Sequence, residues 1–387
     1  MDKVILINPP DRLSLEPMTY PPLGLLYVAA RYERSGCNVE IYDMRDGKRI
    51  EEIGEADAYG FTSTTPQIND VIDYVSFINK EYSYAYTYIG GSHATHRSEQ
   101  LHGYFDFIKM GNIDIGDMFP PRHLMPKESI VNKNLWAGER YQGEEDPTAT
   151  TMFTSFGCPW SCAFCANIPQ KVFFRRPLSI LAEIEFIREE YDCNHFRFLD
   201  DNFLTDRKRV IDLCDLLDKQ DVYYRCSARS DLIDAEIGNV LYKSGCREVG
   251  LGVETADDHI LTILNKREVV EDHRKAIKIV KDCGLNVKIF MMAGLPFETE
   301  ETIEKNKRFI EDTQPDKIVM SLFTPFPGSD IYEHPDKYHI TVKDVKWNEY
   351  SQAYPTKSII TTEHHSSDDL TAHYNDMIQF VGEYNAR

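Results

Sequence analysis

The sequence contains no run of about eighteen apolar residues, the length a membrane-spanning helix requires, so no membrane span is expected. It also lacks an excess of positive charge. Lys and Arg total 43 against 63 Asp and Glu, a net charge of -20, and a surface that acidic repels phosphate backbones. Nucleic acid is excluded as the default partner on that ground. One local exception, Arg175 and Arg176 after "KVFF", is either a patch for a phosphorylated or carboxylated substrate or a solvated loop. The opening "MDKVILINPP" lacks the apolar centre of a signal peptide and reads as a strand that begins at once. The cysteines number 9, an odd count. With no export signal, they argue for a reducing cytoplasm and against a disulfide framework. No internal repeat, low-complexity tract, peptide-recognition module or tRNA-binding domain is evident.

What is present is a chain of 387 residues, 42% hydrophobic and 12% aromatic, long enough for two or three globular domains. Residues 1–112 alternate strand-like and helix-like segments. "VILIN" (4–8) is a continuous apolar run, as a strand covered on both faces requires. "PPLGLLYVAARYERSG" (21–36) has proline in its first turn and glycine at its end, the signature of a helix. "NVEIYD", "DAYGFTS", "YTYIGG" and "FDFIKM" supply four more strands, and residues 68–79 a second helix. This alternation predicts an α/β domain, a doubly wound, Rossmann-like (flavodoxin-like) parallel sheet of five strands. Ligands of such sheets lie beyond the carboxyl ends of the strands. Those ends are "NPP" (8–10), "STTPQ" (63–67) and "GGSHAT" (90–95).

Periodicity is lost over 113–147, which reads as a linker packed by Phe119, Leu124 and Trp136. It returns over 148–330, where candidate strands start near Thr150, His195, Val222, Arg247, Asn286 and Lys317, with helices between. Starts 25 to 45 residues apart have the spacing of βα units, and six such units make a partial (βα)6, TIM-like barrel with its chemistry at the strand ends. Residues 331–387 form a C-terminal extension ending in a helix near 368–383, whose apolar stripe is Leu370, Tyr374, Met377, Ile378 and Val381.

Directly after the first barrel strand stands "GCPWSCAFC", which sets Cys158, Cys162 and Cys165 in a C-x3-C-x2-C array. Structural zinc takes four ligands and closes its shell, and no partnering pattern supplies a fourth. A 4Fe–4S cluster held by three cysteines instead keeps one iron open for a ligand. Zinc and a plain electron-transfer cluster are the competing readings. The six other cysteines stand in apolar contexts and read as small buried hydrophobes.

This array, with Phe164 before its last cysteine and a six-unit barrel around it, resembles the radical S-adenosylmethionine (SAM) superfamily over residues 148–329. The resemblance implies a 4Fe–4S cluster on Cys158, Cys162 and Cys165. It further implies that the amino and carboxylate groups of SAM chelate the open iron, and that reduction cleaves SAM to a 5′-deoxyadenosyl radical. Residue by residue, it places Phe164 and Gly294 of "MMAGLPFET" against the adenine and Asp200 and Asp201 of "FLDDNF" near the amino group. Ser227 and Arg229 of "CSARSD" fall near the carboxylate, and Glu254 of "GLGVET" at the ribose hydroxyls. For each, barrel packing or a loop cap is the alternative.

The first 112 residues are similar to the cobalamin-binding domain fused to one branch of that superfamily, matching in "NPP", "YPPLGLLYVAA", "STTPQ" and "GGSHAT". "TPFPGS" (324–329) and "KWNEY" (346–350) recur in the same branch. The resemblance implies that Asn8, Pro9, Gly24, Ser63, Thr64, Gly90, Gly91 and His93 border a corrin. Two departures stand out. No D-x-H-x-x-G histidine is present to ligate cobalt, and the turn and closing helix that complete the domain after "FDFIKM" are missing. If cobalamin binds, the resemblance implies methylation of an unreactive carbon of a small molecule. Otherwise the domain is a vestigial support, and the enzyme performs dehydration, epimerisation, cyclisation or rearrangement. A non-catalytic iron–sulfur protein is the third reading. Flavodoxin or ferredoxin is the implied electron donor.

Overall fold

A computed structural model describes residues 2–11, 16–111, 113, 116–136, 147–166, 171–351 and 355–386. Part of the expected linker, 114–115 and 137–146, therefore lies outside the described residues. The chain forms two compact units, Met1–Thr151 with Val345–Ser351, and Met152–Asp344 with Gln352–Arg387.

The first unit is built on β1 (Lys3–Asn8), β2 (Asn38–Asp43), β3 (Ala58–Thr62), β4 (Tyr86–Gly90) and β5 (Phe107–Ile108). They pair in parallel in the order β2-β1-β3-β4-β5. In β1, Val4, Ile5, Leu6 and Ile7 are all fully buried. Ile5 and Ile7 join a cluster with Phe61, Ile89 and Val71, Val75 and Ile78 of helix Ile68–Glu81. Val4 and Leu6 point to the opposite face, because strand side chains alternate, and that face is equally covered. The segment "KWNEY" groups with this unit although it lies far along the chain. Its Trp347 ring meets the His93 ring edge-on at 5.3 Å.

Strand order reverses between β1 and β3, the point at which a flavodoxin-like sheet opens a crevice for a ligand. A cavity of about 240 Å³ lies there, lined by Pro10, Asp11, Thr64, Gln67, Asp70 and Asn348 among others.

The second sheet region comprises β6 (Ala149–Met152), a small antiparallel hairpin of β7 (Ser155–Phe156) and β8 (Phe173–Phe174), and then β9 (His195–Phe198), β10 (Tyr223–Ala228), β11 (Cys246–Glu254), β12 (Asn286–Ala293) and β13 (Lys317–Leu322). The main sheet runs β13-β12-β11-β10-β9-β6, in chain order and open between its first and last strands. Helices Pro177–Tyr191, Arg207–Leu217, Ala235–Lys243, Val270–Asp282 and Glu300–Thr313 make the crossovers. This is the six-unit partial barrel expected from the spacing. The C-terminal helix, Ser367–Asn385, packs on β12, β13 and helix Glu300–Thr313. Leu370, Tyr374, Met377 and Val381 are its buried stripe, and Ile378 is 40% exposed. The buried spacing of four, three, four leaves Ile378 on the flank of the stripe, which corrects the expectation for that residue.

Two further expectations are corrected. Phe119 is 39% exposed and does not pack the linker. Trp136 is buried there, and so is Arg122, which donates from Nη1 to Thr150 Oγ1 at 3.1 Å and from Nη2 to Thr151 O at 2.8 Å. Arg175 belongs to no surface patch. It is buried against Glu183 at 2.6 Å and donates to Phe153 O at 2.8 Å, leaving only Arg176 exposed. A guanidinium in that position closes a packed turn.

Candidate functional site

The cysteine loop leaves the hairpin at Gly157, whose φ of 90° lies in the left-handed region that glycine enters without cost. Its N–H donates to Asp201 Oδ2 at 2.9 Å. Further along, Ala163 N–H donates to Leu264 O at 2.8 Å, Asn265 Nδ2 donates to Ser161 O at 2.7 Å, and Ile331 N–H donates to Ala163 O at 3.1 Å. Three other segments thus fix the loop. All nine cysteines are outside disulfides. Cys158 and Cys162 are half-buried and Cys165 is exposed. Burial pushes both the Cys158 and Cys162 thiols up, and at Cys162 the nearby Lys266 and Arg229 charges act in the opposite direction.

Three thiols on one short loop, with no fourth in the array, suit three irons of a cluster better than the closed four-ligand shell of structural zinc.

A network of charge stands beside Cys162. Arg229 stacks over the Trp160 ring at 4.8 Å. Its guanidinium donates to both Asp231 carboxylate oxygens at 3.0 and 3.1 Å and to Lys266 O at 2.9 Å, and lies 3.2 Å from Glu268 Oε2. These bonds hold its pKa up against desolvation, the largest single influence. Lys266 is buried, with Nζ 3.3 Å from Glu254 Oε1 and 3.4 Å from Glu268 Oε2. Glu268 in turn accepts the Ser230 and Asp231 N–H groups. Its own pKa is raised because burial outweighs the two cations. Glu254 of this network (φ 66°) and the neighbours of Lys266 in the chain, Asn265 (φ 51°) and Arg267 (φ 59°), sit at strained backbone. Left-handed conformations at non-glycine residues persist where surrounding contacts force them, and they concentrate at working sites. Lys266, Glu268 and Trp160 escaped the sequence reading. The signal available was "NKRE" (265–268), a charged loop followed by helix Val270–Asp282.

The structure thus joins Arg229 and Glu254 through Lys266 beside Cys162. The other expected SAM residues make contacts of their own. Asp200 is buried, and its carboxylate accepts Thr154 N–H at 2.7 Å, Thr154 Oγ1 at 2.5 Å and Ser155 Oγ at 2.6 Å. It anchors the chain as it enters the cysteine loop. Asp201 holds Gly157, as above. Ser227 lies on β10 and Phe164 is half-buried on the cysteine loop. Gly294 follows β12 and donates its N–H to Glu298 Oε1 at 2.8 Å.

Among the expected corrin residues, Asn8 donates to Asp43 Oδ1 at 3.0 Å, and Pro9 follows it at the end of β1. Thr64, which borders the 240 Å³ cavity, donates to Gln67 Oε1 at 2.8 Å. Ser63 is buried, and its carbonyl accepts His93 N–H at 3.2 Å. Gly90 ends β4, and Gly91 (φ 99°) presses so close that a Cβ there would meet Ser63 O at 2.6 Å. Gly24 has open space where a Cβ would stand. His93 is fully buried, with Nδ1 3.3 Å from Thr65 Oγ1. Burial pushes its imidazole down to about 4. The ring is thus held within the loop packing at the end of β4.

Residues 152–310 match the family model described as Radical SAM superfamily. An uncharacterized methyltransferase of Pyrococcus horikoshii is 24% identical over 95% of this chain and 90% of its own. The anaerobic magnesium-protoporphyrin IX monomethyl ester cyclase of Rubrivivax gelatinosus is 31% identical over 46% of this chain and 33% of its own. Among solved structures, the radical methyltransferase TsrM of Kitasatospora setae, with cobalamin and a 4Fe–4S cluster bound, shares the fold. Its TM-score is 0.68 at 15% identity, over 89% of this chain and 81% of that one.

Proposed function

We infer, from the premise that this chain belongs to the radical SAM superfamily, that it is a cobalamin-dependent radical enzyme methylating an unactivated carbon of a small molecule. Cys158, Cys162 and Cys165 would hold three irons of a 4Fe–4S cluster and leave the fourth for SAM. When bound, the cluster supplies the electron that splits the sulfonium of SAM to a 5′-deoxyadenosyl radical, and cobalamin supplies the methyl group.

The chain's own residues do the rest. Lys266 and Arg229 offset the negative charge gathered by three thiolates at Cys162. Glu254, held by Lys266, accepts hydrogen bonds from the ribose. Arg229 and Ser227 face the carboxylate, and Phe164 and Gly294 border the adenine. Asp200 and Asp201 position the loop instead of binding ligand. In the first unit, Asn8, Pro9, Gly24, Ser63, Thr64, Gly90 and Gly91 border the corrin at the strand-order reversal. We assign 1–112 to the cobalamin domain, 113–147 to a linker, 148–330 to the radical core and 331–387 to an extension. We assign the electron supply to a flavodoxin or ferredoxin of a reducing cytoplasm.

The observation that carries this reading is the three-thiol loop at the mouth of an open parallel sheet, in a chain that also holds a flavodoxin-like unit. Likeness to the methyltransferases supports methyl transfer. Likeness to the cyclase supports a second reading, radical chemistry without methylation. Anaerobic reconstitution with iron, sulfide and hydroxocobalamin, then desalting, separates them. The first reading expects a retained corrin band and release of both S-adenosylhomocysteine and 5′-deoxyadenosine. Loss of the corrin, with 5′-deoxyadenosine alone, establishes the second.

A further inference from the structure

Away from the cysteine loop, helix Glu300–Thr313, the C-terminal helix Ser367–Asn385 and the turn before it bring three metal-ligating side chains together. Glu300, His365 and His373 each offer a donor atom, and these atoms lie within 4.8 Å of one another. His373 Nε2 is 4.0 Å from Glu300 Oε1, and the two imidazole rings meet at 4.9 Å and 68°. The other nitrogen of His373, Nδ1, is 3.1 Å from Glu298 Oε1. Glu298 is only 2% exposed, and its Oε2 has no hydrogen-bond partner among the described residues.

A histidine whose Nδ1 is fixed by a buried carboxylate, and whose Nε2 faces a second carboxylate and a second imidazole, has the surroundings of a metal-bound histidine. We propose that Glu300, His365 and His373 bind one divalent transition ion, with zinc suited to two imidazoles and a carboxylate, Glu298 orienting His373, and water in the fourth position. Tetrahedral zinc with bonds of about 2.0–2.2 Å holds its donors about 3.4 Å apart. Ligation therefore draws the three groups inward by roughly 1 Å. Glu300 can do this by side-chain rotation, since its side chain is 80% exposed. Asp369 is committed elsewhere, accepting the N–H and Oγ of Ser366 at 2.8 Å each as the cap of the C-terminal helix. His339 pairs with Glu363 at 2.6 Å.

The ion would act as a clasp. Glu298 Oε1 also accepts the Gly294 N–H, so metal on His373 couples the C-terminal helix to the loop that follows β12. A plain ion pair between His373 and Glu298 also satisfies that histidine, but it assigns no role to His365 or Glu300.

The experiment uses the iron-loaded protein, dialysed against zinc chloride and then metal-free buffer, with zinc and iron measured by plasma mass spectrometry. The expected result is about one tightly held zinc per chain. Glu300→Gln and His365→Ala should each weaken zinc binding by at least about tenfold, with iron content unchanged. Zinc should raise the melting temperature of the parent protein and not of either variant. Both positions lie outside the fully buried core, so loss of folding does not confound them, and circular dichroism checks this. No zinc retained, or zinc retained equally by both variants, overturns the proposal; the latter places the ion on the thiols.

Discussion

Lys266 Nζ lies 3.3 Å from Glu254 Oε1, with both side chains nearly out of solvent. The same ammonium is 3.4 Å from Glu268 Oε2, so one buried cation serves two carboxylates. Breaking a buried pair by removing one partner leaves an uncompensated charge, and the cost is about 3–5 kcal/mol. Lys266→Met should therefore lower the denaturant midpoint of the second unit substantially. A change below about 1 kcal/mol, the range of exposed pairs, would show that the network carries no structural weight.

Glu254 itself gives a different test. Glu254→Gln keeps the side-chain shape and removes the charge that a ribose hydroxyl would meet. A charge-assisted hydrogen bond contributes about 1.5–3 kcal/mol, so the affinity for SAM should fall about 10- to 100-fold. Equilibrium binding to anaerobically reconstituted protein measures it. Unchanged affinity, in a protein that still folds, removes Glu254 from the SAM site.

The two glycines of the first unit should respond in opposite ways. Gly91→Ala places a methyl 2.6 Å from Ser63 O at a φ of 99°. Both the clash and the extended positive-φ backbone, a conformation essentially confined to glycine and worth about 1–3 kcal/mol alone, destabilise. Gly24→Ala meets nothing within 4 Å and lies in helix Leu23–Arg34, where alanine is favoured by roughly 0.5–1 kcal/mol. If corrin packs beside Gly24, the same change should weaken cobalamin retention while raising the melting temperature. Retention unaffected by Gly24→Ala would place the corrin elsewhere.

Much of this was legible in the sequence because it was periodic or spaced. The apolar run of β1, the βα intervals and the three cysteines each carry their own pattern, and helices Ala235–Lys243 and Glu300–Thr313 fall where the periodicity put them. What escaped was pairing across distance. Arg175 looks like surface charge until Glu183 is found against it. Asp200 gives no sign in the sequence of its bonds to Thr154 and Ser155. Lys266 and Glu268 show locally only the charged loop "NKRE", and what defines them is Arg229 from another strand end. Burial of His93 likewise depends on Trp347, more than 250 residues later in the chain.

That burial predicts a pH dependence. The imidazole of His93 falls from its usual 6.5 to about 4 in the folded protein, chiefly through desolvation. The unfolded chain therefore binds more protons, and stability falls as pH drops. The penalty is absent above about pH 6.5, grows as pH falls, and levels off near the folded value. At about pH 5 it amounts to about 2 kcal/mol. His93→Gln should flatten the slope of unfolding free energy between about pH 7 and 5 by that amount. An unaltered slope would mean that His93 is not held neutral.

The final prediction concerns the loop's anchors. The Asp200 carboxylate accepts three hydrogen bonds from the two residues that lead into the cysteine loop. Asp200→Asn replaces an acceptor with a donor that faces those same donors, so at least one bond is lost and one buried group is left unpaired, at about 1–3 kcal/mol or more. Asp201→Asn loses the charge on its bond to Gly157 and keeps the amide oxygen as an acceptor. Iron per chain after reconstitution should therefore fall sharply in Asp200→Asn and mildly in Asp201→Asn. Cys162→Ala should abolish 5′-deoxyadenosine formation in an otherwise folded protein. If Asp200→Asn instead retains full iron but loses affinity for SAM, the aspartate meets the ligand directly, and its role as an anchor is wrong.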